Sequence, residues 1–292
     1  MRHLNNEIRL HFNRSGAAKS ETEKRALENI LLSPLLKEPA QSFQAETRRL
    51  GALANIFISL ERFDESYAAF YQAILYFDSF PHQISENLNL YFSFLLALVN
   101  GAVLQKRFSA AENWSAKMTA IYQQQKEKLS MVNTTSYLSA ETALLLLQGE
   151  FKRALPWAET ISRLLETSRR KISSYTEVLL SYQCFDIYFR NRDYKKAQHY
   201  VQKVIHYGTD FRVDIQSSAR IVNLILQLEQ KEYEHLGYAL RSAYQYFLKK
   251  QRLYDTERII LQFLRKSTRF SSERELLSGL EEFKKQILPY KG

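Results

Sequence analysis

The strongest constraint on the fold is a unit that recurs from about residue 47 to the end of this 292-residue chain. Its cleanest copy, residues 144–164, has an apolar stretch that runs into Gly149, after which Phe151 opens a second stretch. Ala154, Ala158 and Ile161 follow Phe151 by three, seven and ten residues, which places them on one face of an α-helix. This spacing predicts two helices joined by a short turn.

Six copies of the unit carry an aromatic residue at the predicted start of the second helix. These aromatic residues are Phe63, Phe108, Phe151, Tyr194, Tyr233 and Phe270, separated by 45, 43, 43, 39 and 37 residues. The face that follows the other five aromatic residues consists of Ser66, Phe70 and Ala73; Ala111, Ser115 and Met118; Ala197, Val201 and Val204; Leu236, Leu240 and Ala243; and Glu273, Leu277 and Leu280. Small residues early on this face allow close packing of two helices. The chain therefore predicts six helical hairpins.

An apolar first helix precedes each aromatic residue. Its packing positions are Leu50, Leu53, Ala54 and Phe57 in the first pair, Leu95, Leu98, Val99 and Ala102 in the second, and Ser181, Cys184, Phe185 and Tyr188 in the fourth. Ser174 with Glu177, and Ser272 with Glu275, have the spacing of a capping box at a helix start. The last predicted helix is amphipathic, which is typical of the end of a repeat array.

Residues 1–44 precede the array, which we expect to occupy residues 45–292. Ser20 and Glu23 have capping-box spacing, and Leu27, Ile30 and Leu31 would face inward on a short helix. The helix is expected to stop before Pro34, and the prolines make the following stretch a connector. This N-terminal segment is interpreted as a cap rather than as a docking arm.

The Gly149, Phe151 and Ala154 pattern resembles that of the tetratricopeptide family, in which a small residue, an alanine and an aromatic residue recur on the second helix. That family has a period of about 34 residues, whereas these units approach the period of HEAT and armadillo units. The resemblance implies an all-α, right-handed α-solenoid of about six tetratricopeptide-like hairpins with lengthened helices. A HEAT-like solenoid is the alternative.

The C-terminal half also resembles a group of bacterial tetratricopeptide-type proteins, most closely over residues 217–266. The long units are similar to those of bacterial peptide-sensing regulators as well. Neither resemblance carries a catalytic residue with it. What they imply is a binding surface on the concave side, lined mainly by the first helix of each pair.

Composition narrows the class of protein further. With 45% hydrophobic and 25% charged residues, the chain has the composition of a globular protein. The single cysteine, Cys184, excludes an intrachain disulfide and fits a reducing compartment. The N-terminus lacks the apolar run of a secretory signal, and residues 90–104 form an apolar window too short to span a bilayer. We therefore expect a cytoplasmic protein.

The first helix of the fifth predicted pair departs from the apolar pattern of the other first helices. Arg220, Asn223 and Gln227 occupy one stripe where apolar residues are expected. A buried polar group without a partner costs about 1–3 kcal/mol, so each of these side chains needs a partner or water. One interpretation is a ligand-facing strip; the other is that Arg220 pairs with an inner carboxylate such as Asp186 while Asn223 caps a neighbouring carbonyl.

Neighbouring first helices can extend this strip. The first helix of the fourth pair carries Tyr182, Asp186 and Arg190 at successive turns. The first helix of the sixth pair carries Arg258, Gln262 and Arg265. Arginine offers a planar fork of donors for carboxylates or phosphates, and tyrosine offers a rigid contact face. Solvent exposure without any ligand is the alternative for each of these side chains.

The net charge of +10 is concentrated at the C-terminal end, where residues 241–292 hold 12 basic and 6 acidic residues. A basic end attracts nucleic acid, acidic proteins or an anionic surface. No nucleic-acid motif accompanies it, and the varying unit length argues against an RNA reader that assigns one base to each repeat. A solvated basic surface is the preferred interpretation.

Catalytic arrangements are hard to build from this chain. The six histidines, His3, His11, His82, His199, His206 and His235, lack metal-ligand spacing, and no phosphate-binding or nucleophile motif is present. Cys184 is expected to be an inert buried thiol. The sequence thus favours a non-enzymatic scaffold or adaptor that binds a protein or peptide, with no metal and no cofactor. The alternatives are a peptide-responsive regulatory sensor and, less favoured, a nucleic-acid-binding protein.

Overall fold

A computed structural model of the protein describes residues 21–207, 213–250, 253–270 and 272–290. Across these ranges the secondary structure consists of helices and turns, with no strand. The α-helices, numbered here in chain order, are α1 (Glu21–Leu31), α2 (Pro34–Lys37), α3 (Phe43–Ser59), α4 (Phe63–Asp78), α5 (Pro81–Glu86), α6 (Leu88–Leu104), α7 (Phe108–Gln125), α8 (Met131–Leu147), α9 (Phe151–Thr167), α10 (Ser174–Arg190), α11 (Tyr194–Ile205), α12 (Val213–Glu229), α13 (Tyr233–Lys249), α14 (Asp255–Ser267) and α15 (Glu273–Ile287). The predicted all-α fold with long paired helices is confirmed.

The chain divides into two compact units, Met1–Leu144 and Leu145–Gly292. In the first unit, α3 packs against α4 and α6 against α7, while α4 also packs against α6. In the second unit, α10, α12 and α14 each pack against the helix that follows, and α9 packs against α10. The division into an N-terminal segment, residues 1–44, and an array, residues 45–292, stays a prediction.

The turn within five helical pairs is always three residues long and always has the same backbone. Its middle residue lies in the left-handed region, with φ between 58° and 77°, in Glu61, Lys106, Gly149, Arg192 and Lys231. The next amide closes the turn by donating to a carbonyl five residues back, as from Arg107 N to Ala102 O at 2.8 Å. This is the Schellman arrangement, which satisfies carbonyls at the end of the first helix.

The aromatic residue after each of these turns is the first residue of the second helix, as predicted. The small and apolar faces that follow are packed inward: Ala154, Ala158 and Ile161 on α9 are fully buried, and so are Ala197, Val201 and Val204 on α11. Leu240 on α13 is only partly buried. The spacing of three, seven and ten residues therefore identified the core face of these second helices.

The sixth copy departs from this pattern. Helix α15 begins at Glu273, with the Ser272 hydroxyl accepting from the Glu275 amide at 3.3 Å, so Phe270 lies before the helix rather than at its start. The Phe270 ring instead packs over Gly279, where an added Cβ would lie 2.6 Å from the ring. Leu277 and Leu280, predicted for the core face, are 57% and 40% exposed. The prediction that Phe270 starts the second helix was therefore wrong, because five residues rather than three separate α14 from α15.

The N-terminal helices pack onto α3. Leu27 of α1 and Leu36 of α2 share a buried cluster with Ile56, and Ile30 and Leu31 pack at its edge as predicted. Helix α1 ends at Leu31, before Pro34 as predicted, and the predicted connector contains the one-turn helix α2, which Pro34 begins because proline is favoured in the first turn. The proposed cap residue Ser20 lies outside the described residues.

A buried ion pair fixes the connector. The Arg49 Nη2 atom lies 2.6 Å from Glu46 Oε1, and Arg49 Nη1 donates to the Leu36 carbonyl at 2.7 Å. Glu46 also accepts from the amide of Ala40, so the hydrogen bonds from Arg49 and Ala40 lower the pKa of Glu46. The side chains of one helical turn thereby hold both ends of the connector against α3.

One predicted cap is shifted by one residue. Ser173, not Ser174, is the N-cap of α10, and its hydroxyl accepts from the Thr176 amide at 3.2 Å. Helix α6 contains the apolar window of residues 90–104 and packs against α4 and α7. No helix in the described part of the chain combines the length and the apolar character needed to cross a membrane.

Candidate ligand-binding groove

A groove of about 640 Å³ opens in the first unit between α3, α4 and α6. Its walls are mainly apolar. The lining residues are Thr47, Arg48, Gly51, Asn55 and Ile58 from α3; Phe63, Ser66, Tyr67 and Phe70 from α4; and Leu90, Ser93, Phe94, Leu96, Ala97, Asn100, Gly101 and Leu104 from α6. The groove thus lies along the first helices of two successive pairs, the surface on which the repeat architecture predicts binding.

Two glycines bring the groove walls together. An added Cβ at Gly51 would lie 3.3 Å from the Phe94 ring, and one at Gly101 would lie 3.3 Å from the Tyr67 ring. Aromatic rings therefore rest directly on the backbone of both first helices. The groove floor depends on these contacts, because a side chain at either position would have to displace a ring.

Several polar groups in the groove are already satisfied internally. The Thr47 hydroxyl donates to the Phe43 carbonyl at 3.0 Å, and the Ser93 hydroxyl donates to the Asn89 carbonyl at 2.7 Å. The Tyr67 hydroxyl accepts from Trp114 Nε1 at 2.9 Å. These groups shape the walls, but their preferred partners are within the protein.

Four polar side chains of the lining have no partner among the described residues, and three of them, all except the buried Ser66, are accessible to a ligand. Within the described ranges, Arg48, Asn55 and Asn100 have no hydrogen-bond or ion-pair partner. Arg48 and Asn55 are partly buried, and Asn100 is exposed. The two asparagines are equivalent in the repeat, since each precedes the aromatic residue of its pair by eight residues. They therefore project from corresponding positions on α3 and α6.

The predicted strip on α12 lies in helix contacts of the second unit. Arg220 donates to the carbonyls of Gln216 and Ile205, both at 3.2 Å, and its guanidinium lies 3.6 Å from the centre of the Tyr246 ring. Burial lowers the pKa of Arg220. Asp186, the suggested partner of Arg220, accepts instead from Arg190 Nε at 2.7 Å.

The other two strip residues are also buried. Asn223 accepts from the amides of Gln198 and Gln202 at 3.2 and 3.0 Å, so it joins α12 to α11 rather than capping a carbonyl. Gln227 is 7% exposed. Arg220 and Asn223 therefore have structural contacts of their own, whereas the buried Oε1 atom of Gln227 has no hydrogen-bond partner in the described part of the chain. Ligand binding by this strip stays a prediction.

The extensions of the strip differ in exposure. Tyr182 packs beside Phe185, and burial raises its pKa, whereas the Arg190 guanidinium covers the Phe151 ring at 4.7 Å. On α14, Gln262 and Arg265 are exposed, and Arg258 lies 3.9 Å from Asp255. None of the nine predicted side chains lines the groove in the first unit.

The sequence contained a signal for part of this groove. Asp186 and Gln262, two of the predicted site residues, also stand eight residues before the aromatic residue of their copies. Applying that register to the first two copies identifies Asn55 and Asn100. Arg48 has no such signal, because it is adjacent to Arg49 in the sequence and only the fold shows which of the two arginines is unpaired.

A second groove, of about 720 Å³, lies in the second unit between α12, α14 and α15. Its polar residues come from helices and turns: Glu229, Tyr233 and Ser267 lie on α12, α13 and α14, whereas Lys231 is a left-handed turn residue and Ser272 already caps α15. It lacks the pair of equivalent amides found in the first unit. Among the described residues, no group of three His, Cys, Asp or Glu side chains could hold a metal ion.

No protein-family model and no curated protein sequence matches this chain. Among solved structures, it is similar to the crystal structure of the apo form of RapI, with a TM-score of 0.64 and 12% sequence identity. The similarity covers 96% of this chain and 72% of RapI. At this identity the comparison concerns the fold, and it agrees with the paired helices described above. The chain is therefore a helical repeat protein.

Proposed function

We propose that this protein is a non-enzymatic peptide-binding module of the tetratricopeptide type, which holds an extended peptide segment in the groove between α3 and α6. The observation that carries the proposal is the pair of free amides, Asn55 and Asn100, at equivalent positions on successive first helices. A carboxamide both donates and accepts hydrogen bonds, so it complements a peptide group in a way that a single donor does not.

The arrangement suits a peptide backbone. An extended chain advances about 3.3 Å per residue, so a peptide that lies across the groove can bring different peptide groups to the two amides, one on α3 and one on α6. The apolar walls would receive the side chains between them. A volume of about 640 Å³ is within the usual range for small-ligand sites.

The comparison is compatible with this proposal. The RapI structure is described as an apo form, which denotes that protein without a bound ligand. The match of Gly149, Phe151 and Ala154 to the tetratricopeptide pattern supports the family assignment, although the units are longer. The exposed Arg258, Gln262 and Arg265 are proposed as separate contacts of the second unit with a protein or peptide partner. The single cysteine, the buried Cys184, is compatible with a cytoplasmic location.

Selection from a library of short peptides on the immobilised full chain tests the proposal. Affinity of a fluorescently labelled selected peptide is then measured by polarisation for Asn55→Ala and Asn100→Ala. Each loses one or two hydrogen bonds of about 0.5–1.5 kcal/mol, so we expect roughly 2- to 150-fold weaker binding at an unchanged melting temperature. Asn113→Ala, an exposed asparagine on α7 outside the groove, is the matched control.

Equal affinity of all three variants for the selected peptide would refute binding in this groove. Small-angle scattering of the complex addresses the regulatory alternative: a peptide that changes the envelope supports a sensor, and an unchanged envelope supports a scaffold. Binding that requires nucleic acid in the sample would instead favour the basic C-terminal end as the functional surface.

A further inference from the structure

The groove has a single charged side chain in its lining. Arg48 is that residue, and its neighbours on α3 do not neutralise it, because Glu46 is bound to Arg49 on another face of the helix. Within the part of the chain that the structure describes, no carboxylate pairs with Arg48. Arg48 is partly buried and lines a mainly apolar groove, where an unpaired guanidinium favours an anionic partner.

The groove also has two chemically different ends. Arg48 lies in the second turn of α3, and Ile58 follows ten residues later, which corresponds to ~15 Å along the helix axis. Ile58, Phe63 and Leu104 make the far end apolar. Asn55 lies between the two ends on the same helix. A ligand that satisfies all of these groups must be anionic at one end and apolar at the other.

The backbone reinforces this polarity. Helices α3 and α6 are the first helices of successive pairs, and both of their N-terminal ends lie on the Arg48 side of the groove, near Thr47 and Leu90. The N-terminal end of a helix carries a partial positive charge, which adds to the attraction for an anion. The C-terminal ends lie at the apolar side.

We propose that Arg48 determines both the orientation and the composition of the bound peptide, by pairing with a carboxylate of the ligand. The inference rests on the proposed function. The carboxylate is either the C-terminal group of the peptide or an Asp or Glu side chain, since both offer the same two oxygens to a guanidinium fork. The apolar side chains of the peptide occupy the end bounded by Ile58 and Leu104.

The test combines variants of the protein with variants of the selected peptide. Arg48→Gln removes the charge, and Arg48→Lys keeps it without the planar fork. Arg25→Gln, at an exposed position of α1, is a control with the same change of charge. The peptide is used with a free C-terminus, with a C-terminal amide, and with each Asp or Glu changed to Asn or Gln. Affinities are measured by polarisation at several salt concentrations.

We expect Arg48→Gln to weaken binding of the carboxylate-bearing peptide about 10- to 100-fold and to flatten its salt dependence. Binding of the peptide that lacks the recognised carboxylate should hardly change with Arg48→Gln, and Arg25→Gln should match the parent protein. Whichever neutralised peptide loses the effect identifies the source of the carboxylate. Arg48→Lys should fall between the parent and Arg48→Gln.

Failures of the two proposals are distinguishable. If the asparagine variants weaken binding while Arg48→Gln and all neutralised peptides bind as tightly as the parent pair, the carboxylate inference is wrong and the groove proposal stands. If no selected peptide depends on Asn55 or Asn100, both are wrong. A melting temperature of Arg48→Gln equal to that of the parent protein excludes unfolding as the cause of weaker binding.

Discussion

Replacing the left-handed residue of one turn by glycine should stabilise the protein, whereas the reverse change in another turn should destabilise it. Lys106 has φ of 58°, and Gly149 occupies the equivalent position with φ of 77°. The left-handed conformation costs an L-residue about 1–2 kcal/mol. Glycine avoids this cost but adds about 0.5–1 kcal/mol of backbone entropy to the unfolded chain.

The difference between these two terms sets the expected magnitude. Lys106→Gly should raise the free energy of unfolding by about 0.5–1 kcal/mol, and Gly149→Ala should lower it by about 1 kcal/mol. Lys106 is exposed, so its side chain leaves no cavity. Ala116→Gly, at a solvent-exposed position in the middle of α7, is the control. It should lower the free energy of unfolding by about 1 kcal/mol.

Urea unfolding followed by circular dichroism measures all three variants. The diagnostic result is opposite signs for the same glycine introduced at Lys106 and at Ala116. A loss of stability in Lys106→Gly comparable to that in Ala116→Gly, or a Gly149→Ala variant as stable as the parent, would refute the assignment of these residues to strained turn positions.

Two further predictions concern buried ionisable groups. Glu141 is 7% exposed and accepts from the Ser115 hydroxyl at 2.5 Å, and burial raises its pKa despite that bond, so its contribution to stability is present at low pH and is lost as pH rises through the folded-state pKa. Glu141→Gln should therefore be more stable than the parent at pH 7 and no more stable near pH 4 in urea titrations; a constant difference would contradict the burial argument. Burial raises the pKa of the Cys184 thiol to about 12, so a disulfide reagent should leave Cys184 unmodified at pH 8 until denaturant is added. Rapid modification of the folded protein would show that this part of α10 opens.

Most of the fold could be predicted because it depends on periodicity. The three, seven and ten spacing after Phe151 identifies the buried face of α9, since side chains separated by whole turns share one side of a helix. The same pattern misplaced Phe270, because five residues rather than three separate α14 from α15, so Leu277 and Leu280 satisfy the spacing and are nevertheless exposed. The spacing of apolar residues along one helix does not show the length of the turn that precedes it.

The candidate groove was harder to predict for a different reason. The sequence drew attention to Arg220 and Asn223 as polar residues in an apolar stripe, but such residues are often held by internal partners, as the Tyr246 ring and the Gln198 and Gln202 amides show. Asn55 shares its repeat position with Asn100, but Arg48 stands where a polar residue is unremarkable in the pattern. Only the fold shows that their partners are missing.

The constant turns have a consequence for how this chain can change in length. Within five pairs, a turn of three residues joins the two helices. The segments between successive pairs range from five to nine residues, and one of them includes the short helix α5. One residue added to the turn before Phe108 would rotate the following helix by about 100°, which would turn Ala111 and Met118 away from the core. Insertions and deletions, whether by evolution or by a designer who adds a reporter domain, are therefore confined to the segments between pairs, such as residues 168–173.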